Sequence, residues 1–343
     1  MASYIARRLI QTVLTLLLAS IGFFLLIHFE VGPPCAPGAF ACREALRLDD
    51  PIANQYFVWA SHVVRGDFGT SIGGQPVAAL ILQRLPPTIL LVGVSFLVQQ
   101  MIALPLGVLA ATRQYSRIDG LLTFASYIAL SLPAFVVGLL LLYAFGVQWP
   151  VLPVGHVQDD SVPLFWSSDW FGAIWQDPGY VLGDLARHLA LPVLVLALTG
   201  IAIDSRYMRS AMLQVLSQDY IRTAKSKGVP GRMVVFKHAF RNALLPIITN
   251  IGLYLPSLIG GVLVVELVFT WDGLGYLFDA STGRSSVQFA YGGPFTMSSY
   301  PDMPTLQALL ILSIVATLLA NLLADLAYAW LDPRIRYQSG SGR

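Results

Sequence analysis

The sequence predicts an all-α integral membrane protein with six transmembrane helices and both termini in the cytoplasm. Three observations carry that fold class. Apolar types make up 56% of the 343 residues and charged types only 12%, about half the roughly 25% of an ordinary soluble domain. Mean hydropathy is +0.67, which excludes a soluble enzyme and a disordered chain alike. The few charges are clustered, so that six stretches are free of Asp, Glu, Lys and Arg. A formal net charge of +2 supplies no footprint for nucleic acid. No alternating strand pattern of a barrel is present.

A crossing helix needs about 20 mostly apolar residues. The first span is 9–29, preceded by Arg7 and Arg8 and ended by Glu30 and Gly32. Its apolar run is too long for a cleaved leader, so it reads as a retained span. The second is 85–112. The third lies in 120–158, with 121–147 as its apolar part. The fourth, 188–203, is the shortest, but its Leu189–Leu198 run is too apolar for a surface loop, and Arg187 can snorkel at one end. The fifth is 242–265 and the sixth 303–324. Pro105, Pro133, Pro192, Pro246 and Pro256 fall inside spans, as kinks or as points where a helix bends in gating.

Orientation follows from the basic residues. With the N-terminus inside, the outside segments hold only Arg43, Arg47, Arg65, Arg84, Arg187 and Arg284 of the 21 lysines and arginines. An inverted five-span arrangement would set Arg7, Arg8, Arg113 and Arg117 outside, tight against helix ends. The outside segments, about 30–87, 148–187 and 270–303, are rich in Pro, Gly, Asp, Trp and Ser. Each is long enough to receive a soluble partner. The first holds Cys35 and Cys42, the two cysteines, either as a disulfide or as free thiols.

The longest inside segment runs from Ser205 to Arg241. Good helix formers continue to Lys227, Gly228 stops them, and a second short helical pattern spans Met233 to Asn242. Two short helices joined by a glycine turn are expected at the membrane surface. One reading is a basic interfacial helix held by anionic lipid.

Asp219-Tyr-Ile-Arg-Thr-Ala-Lys-Ser-Lys-Gly228, followed by His238-Ala-Phe-Arg-Asn-Ala-Leu-Leu-Pro246, resembles the EAA loop of ABC importer permeases. It is most similar to the version in the oligopeptide, dipeptide and nickel permease family. Arg222, Thr223 and Ala224 stand at the three EAA places and Gly228 is the loop glycine, while the acidic first residue of the general pattern is absent. Further similar motifs are Tyr4–Leu9, Arg65–Ser71, Arg84–Thr88, Ser131–Phe135, Gly273–Gly275 and Leu331–Tyr337. The resemblance covers nearly the whole chain.

That resemblance implies a type-I ABC permease fold in a bacterial or archaeal cytoplasmic membrane. Residues 1–87 would hold the first span and its outside segment, 88–331 the permease core with the loop at 205–241, and 332–343 a cytoplasmic tail. The implied function is half of a translocation pore for di- or oligopeptides. The same architecture importing nickel or another small solute is the alternative, and a secondary transporter a more distant one. The implied partners are a second homologous permease, two cytoplasmic ATPase subunits, an extracytoplasmic substrate-binding protein and the lipid bilayer.

The chain has no GxxxxGK[ST] phosphate loop, so it is expected to be no enzyme and to hold no cofactor or metal. ATP and Mg would be bound by the partner ATPases. The ATPase-coupling loop would comprise Asp219, Tyr220, Ile221, Arg222, Thr223, Ala224, Lys225, Gly228 and Val229. Tyr220, Ile221 and Val229 are candidates for apolar anchoring to the partner, and Thr223 and Ala224 for close approach. Arg222, Lys225 and Lys227 could pair with partner carboxylates or with lipid phosphate. Glu266, near the end of the fifth span, is the candidate for pore or binding-protein contact. Asp204, at the end of the fourth, reads as structural.

Overall fold

The computed structural model describes residues 2–30, 47–244, 247, 261–282 and 301–331. Helices α1 (Ala2–Glu30), α2 (Ile52–Val64) and α3 (Val77–Thr112) are followed by α4 (Arg117–Ser131) and α5 (Ala134–Leu142). A π-helical turn, Tyr143–Gln148, continues α5. Next come α6 (Ser168–Gln176), α7 (Pro178–Leu216), α8 (Asp219–Ser226) and α9 (Gly231–Met233). A second π-helical turn, Val234–Phe240, continues α9. Helices α10 (Leu274–Ser281) and α11 (Met303–Leu331) complete the order. Among the described residues the sole β pairing is an isolated bridge between Thr70 and Pro76.

Four helices are long and apolar enough to cross a membrane: α1, α3, α7 and α11. Helices α4 and α5 make a further candidate only as a pair, bent by 95°. The bend falls at Pro133, which lacks an amide hydrogen and biases Leu132 away from helical geometry (φ −95°, ψ 128°). So the third predicted span is a broken helix. Pro105 and Pro192 lie within continuous helices. Most of the fifth predicted span, with Pro246 and Pro256, lies outside the described residues, as do Cys35 and Cys42. The predicted fourth span is part of a 39-residue helix.

The chain divides into two compact units, within Met1–Thr88 plus Asp272–Leu322 and within Ile89–Trp271 plus Leu323–Arg343. In the first unit, Val77, Leu80 and Ile81 pack with Leu277, Ala308 and Leu309. Ile27 meets Met303 and Leu306. Phe24 of α1 stacks edge-on with Tyr56 of α2, ring centroids 5.5 Å apart. Toward its N-terminal end α1 leaves Leu9, Ile10, Val13, Leu14 and Leu18 exposed. Exposed apolar side chains of that number suit a helix within a bilayer.

In the second unit α7 is the central element. A row of its buried residues recurs every four positions, from Val181 through Leu185, Leu189, Val193 and Ala197, and α4, α5 and α6 all pack on it. One core joins Leu91, Leu189, Val193, Phe269 and Trp271. A second joins Val108, Met208, Met212, Ile221, Val234 and Ala239. Gly107 lets α3 and α7 approach closely: a Cβ there would lie 2.5 Å from Met208 Cβ and 2.6 Å from the Ser205 carbonyl. Gly107→Val is expected to destabilise the chain by about 3 kcal/mol or more, since the backbone on one side cannot yield. A thermal-stability scan of the detergent-solubilised variant measures this.

Candidate functional site

Helix α7 ends at Leu216, and a turn at Ser217–Gln218 starts α8. This differs from the uninterrupted run to Lys227 expected from the helix formers. The C-terminus of α8 is a glycine-capped turn. The Val229 amide donates to the Ala224 carbonyl at 3.2 Å and the Gly228 amide to Lys225 at 3.0 Å. This pair of bonds is the Schellman pattern, which requires a left-handed residue in the glycine place. Gly228 supplies it with φ +75°. No atom lies within 4 Å of where its Cβ would stand, so the need for glycine is in the backbone, not in crowding. Pro230 then precedes α9 as its N-cap.

The two faces of α8 separate cleanly. Ile221 is fully buried against Met208, Met212, Val234 and Ala239. Ala224 and Val229 pack half-buried on the same cluster. All three therefore hold the helix to its own chain. Ile221 has no surface left for a partner in this conformation, whereas Ala224 and Val229 keep part of theirs. Asp219, Arg222, Thr223, Lys225, Ser226, Lys227 and Gly228 are exposed. Asp219 and Arg222 approach to 3.8 Å, a pair that contributes little at such exposure. Tyr220 is exposed too, and its hydroxyl accepts from Asn242 Nδ2 at 3.1 Å. What the segment offers outward is a small polar face, dominated by Arg222, Lys225 and Lys227, with one phenol ring at its edge.

Beneath this segment, Asp119 and Arg209 form a two-pronged ion pair that the sequence reading missed. Arg209 Nε donates to Asp119 Oδ1 at 2.7 Å and its terminal nitrogen to Oδ2 at 2.8 Å. The Tyr115 amide adds a bond to Oδ2 at 3.0 Å, and Ser116 caps α4 through the Asp119 amide. Arg206, one turn earlier on α7, lies 4.8 Å from the Tyr127 ring centroid. The start of α4 is thus tied to the half of α7 that leads into α8.

Asp204 is buried, and accepts from Gln99 at 2.7 Å and Gln100 at 2.6 Å, consistent with a structural role. Glu266 has no exposed surface.

Motifs far apart in sequence meet within the first unit. Arg84 donates to the Asp272 carboxylate at 3.0 Å and to its carbonyl at 3.3 Å, while Thr88 Oγ1 accepts from the Leu274 amide at 2.8 Å. The Arg84–Thr88 and Gly273–Gly275 motifs are therefore two sides of one joint. Ser71, ending the Arg65–Ser71 motif, donates to Asp302 at 2.5 Å, and Thr305 donates to the same oxygen at 2.8 Å.

Several helices long and apolar enough to cross a membrane, with a small exposed basic helix–turn unit after α7, define a helical multi-pass membrane protein. Residues 103–337 match the family described as binding-protein-dependent transport system inner membrane component. The chain belongs to that family. It is 40% identical to oligopeptide transport system permease protein AppB of Bacillus subtilis, over 98% of this chain and 100% of the relative. It is 37% identical to a probable peptide ABC transporter permease, y4tP, of Sinorhizobium fredii, over 98% and 100%. With oligopeptide transport system permease protein OppB of Mycobacterium tuberculosis it shares 36% identity over 98% and 99%.

Proposed function

We propose that this chain is the membrane-spanning permease subunit of an ATP-driven importer, and forms half of a pore for di- or oligopeptides. The observation that carries the reading is likeness along nearly the full length to permeases named for oligopeptide transport. The exposed face of α8 and the Gly228 turn supports it, because it is a preformed surface with few apolar groups. Such a surface suits a polar groove of a soluble subunit better than the interior of a bilayer.

In this reading the chain has six spans and cytoplasmic termini, and sits in a bacterial or archaeal cytoplasmic membrane. A second, homologous permease completes the pore. An extracytoplasmic binding protein delivers the peptide. Two cytoplasmic ATPase subunits, which bind ATP and Mg, engage α8. Their closure on ATP moves α8 as a rigid body, and the Asp119–Arg209 pair passes that movement to α4 and α7. Arg222, Lys225 and Lys227 face carboxylates of the ATPase, and Tyr220 supplies the apolar edge.

The test is isolation of the tagged chain in mild detergent from its own host. A second permease and ATPase subunits are expected to co-purify at near-equal amounts, and a loaded binding protein to stimulate ATP hydrolysis by the complex. A chain that emerges alone, folded, and transports when reconstituted without ATP would overturn the reading.

A further inference from the structure

We propose that Asp159, Asp184 and His188 form a binding site for a first-row divalent transition-metal ion, which tethers the 149–167 loop to α7. Each of the three offers one ligand atom, and these atoms all lie within 4.8 Å of one another. Asp184 and His188 are buried, with side chains 7% and 2% exposed, whereas Asp159 is 65% exposed. The cluster thus has a fixed floor on the helix and an open rim on the loop.

The orientation of the His188 ring suits a ligand role. Nδ1 lies 3.0 Å from the Asp184 carbonyl oxygen and 3.3 Å from its Oδ1. Both are acceptors, so Nδ1 carries the proton. Nε2 is then the ring nitrogen turned toward the loop. The group facing it is Asp159 Oδ1, another acceptor, at 3.7 Å. The two atoms, one from the helix and one from the loop, are a nitrogen and an oxygen of the kinds that ligate a cation.

The separation selects the kind of centre. Two ligands held about 2.1 Å from one ion stand roughly 3 to 3.6 Å apart, close to the distance observed. An imidazole that ligates a metal usually donates its other N–H to a carbonyl or carboxylate, which fixes ring and tautomer. The Nδ1 bond to Asp184 is that arrangement. The Asp159 amide also donates to Asp184 Oδ2 at 3.1 Å, so the loop residue is already seated over the helix before any ion arrives.

One imidazole nitrogen with two carboxylates suits Zn²⁺, Co²⁺ and their neighbours rather than Ca²⁺, which takes oxygen alone. Three protein ligands leave a position for water. The ion binds or leaves by way of the exposed Asp159, with no movement of α7. The inference is independent of what the chain transports.

The full chain, purified in detergent, freed of metal with a chelator and dialysed at neutral pH, is titrated with Co²⁺ as a spectroscopic probe. About one saturable Co²⁺ per chain is expected, displaced by Zn²⁺, with slower proteolysis of the 149–167 loop in the loaded form. Asp159→Asn alters an exposed side chain and leaves the fold intact. It is expected to weaken Co²⁺ binding by at least about tenfold and to remove the protection from proteolysis. His188→Gln is expected to abolish the d–d absorption of the bound Co²⁺.

Absence of saturable binding to the wild-type chain would overturn the proposal. So would Co²⁺ affinity unchanged in Asp159→Asn. A loop protected without metal and loosened by either substitution would assign the cluster instead to an imidazolium ion pair.

Discussion

Gly228→Asp is expected to lower peptide uptake by more than tenfold while the chain remains inserted and folded. The fold survives because nothing lies within 4 Å of the added Cβ. The cost is that of a left-handed backbone, about 1 kcal/mol and least for Asp and Asn among residues with a Cβ. The new carboxylate would project from a face whose exposed charges are mainly Arg222, Lys225 and Lys227. A loss of about 1.4 kcal/mol at such a contact is a tenfold loss of affinity.

Two further variants separate the causes. Gly228→Asn has the same shape and backbone tolerance without the charge, and is expected to retain more uptake than Gly228→Asp. Gly228→Val adds a branched side chain at φ +75°, where it is a genuine outlier, and is expected to unravel the end of α8 and lose both uptake and ATPase binding. The readouts are uptake into proteoliposomes and ATP hydrolysis stimulated by the loaded binding protein. Wild-type uptake by stably inserted Gly228→Asp would remove α8 from the coupling path.

How legible these features are in the sequence depends on their range. Spans are legible because a bilayer imposes an apolar length, so α1, α3 and α11 contain the runs that predict them. The ends of α7 are not. It continues through Asp184, Asp204 and Arg209, each satisfied by a partner distant in sequence or one turn away. Counting uncharged residues therefore cuts the helix short. The turn at Gly228 is legible because its constraint is local. The direction in which Ile221 points is not, since in an eight-residue helix two adjacent apolar residues define no face. Only the cluster formed with Met208, Val234 and Ala239 decides it. The Arg84–Asp272 joint needs contacts 188 residues apart. No motif at either end names the other.

The Asp119–Arg209 pair is where the second large effect is expected. Asp119 is buried, its side chain 6% exposed, and Arg209 is 28% exposed. Arg209→Ala leaves a carboxylate in low dielectric with only the Tyr115 amide and the Ser116-capped turn to stabilise it. Removal of one member of such a pair costs about 3 to 5 kcal/mol, and the lower end applies because Arg209 retains some water. Asp119→Asn keeps the shape, places an amide against a guanidinium and is expected to cost less.

The double variant Asp119→Asn with Arg209→Gln discards both charges and keeps the hydrogen-bonding outline. Its stability is expected to return most of the way to wild type, since the penalty lies in the unpaired charge rather than in loss of the pair. Transport distinguishes a clamp from a simple structural contact. If the pair holds α4 to α7 while α8 is moved, the double variant stays stable in a detergent melt. Its ATP hydrolysis, however, no longer yields the wild-type amount of peptide imported. Full restoration of both stability and that ratio would show that any well-packed pair suffices at this position, and that the movement passes through another contact.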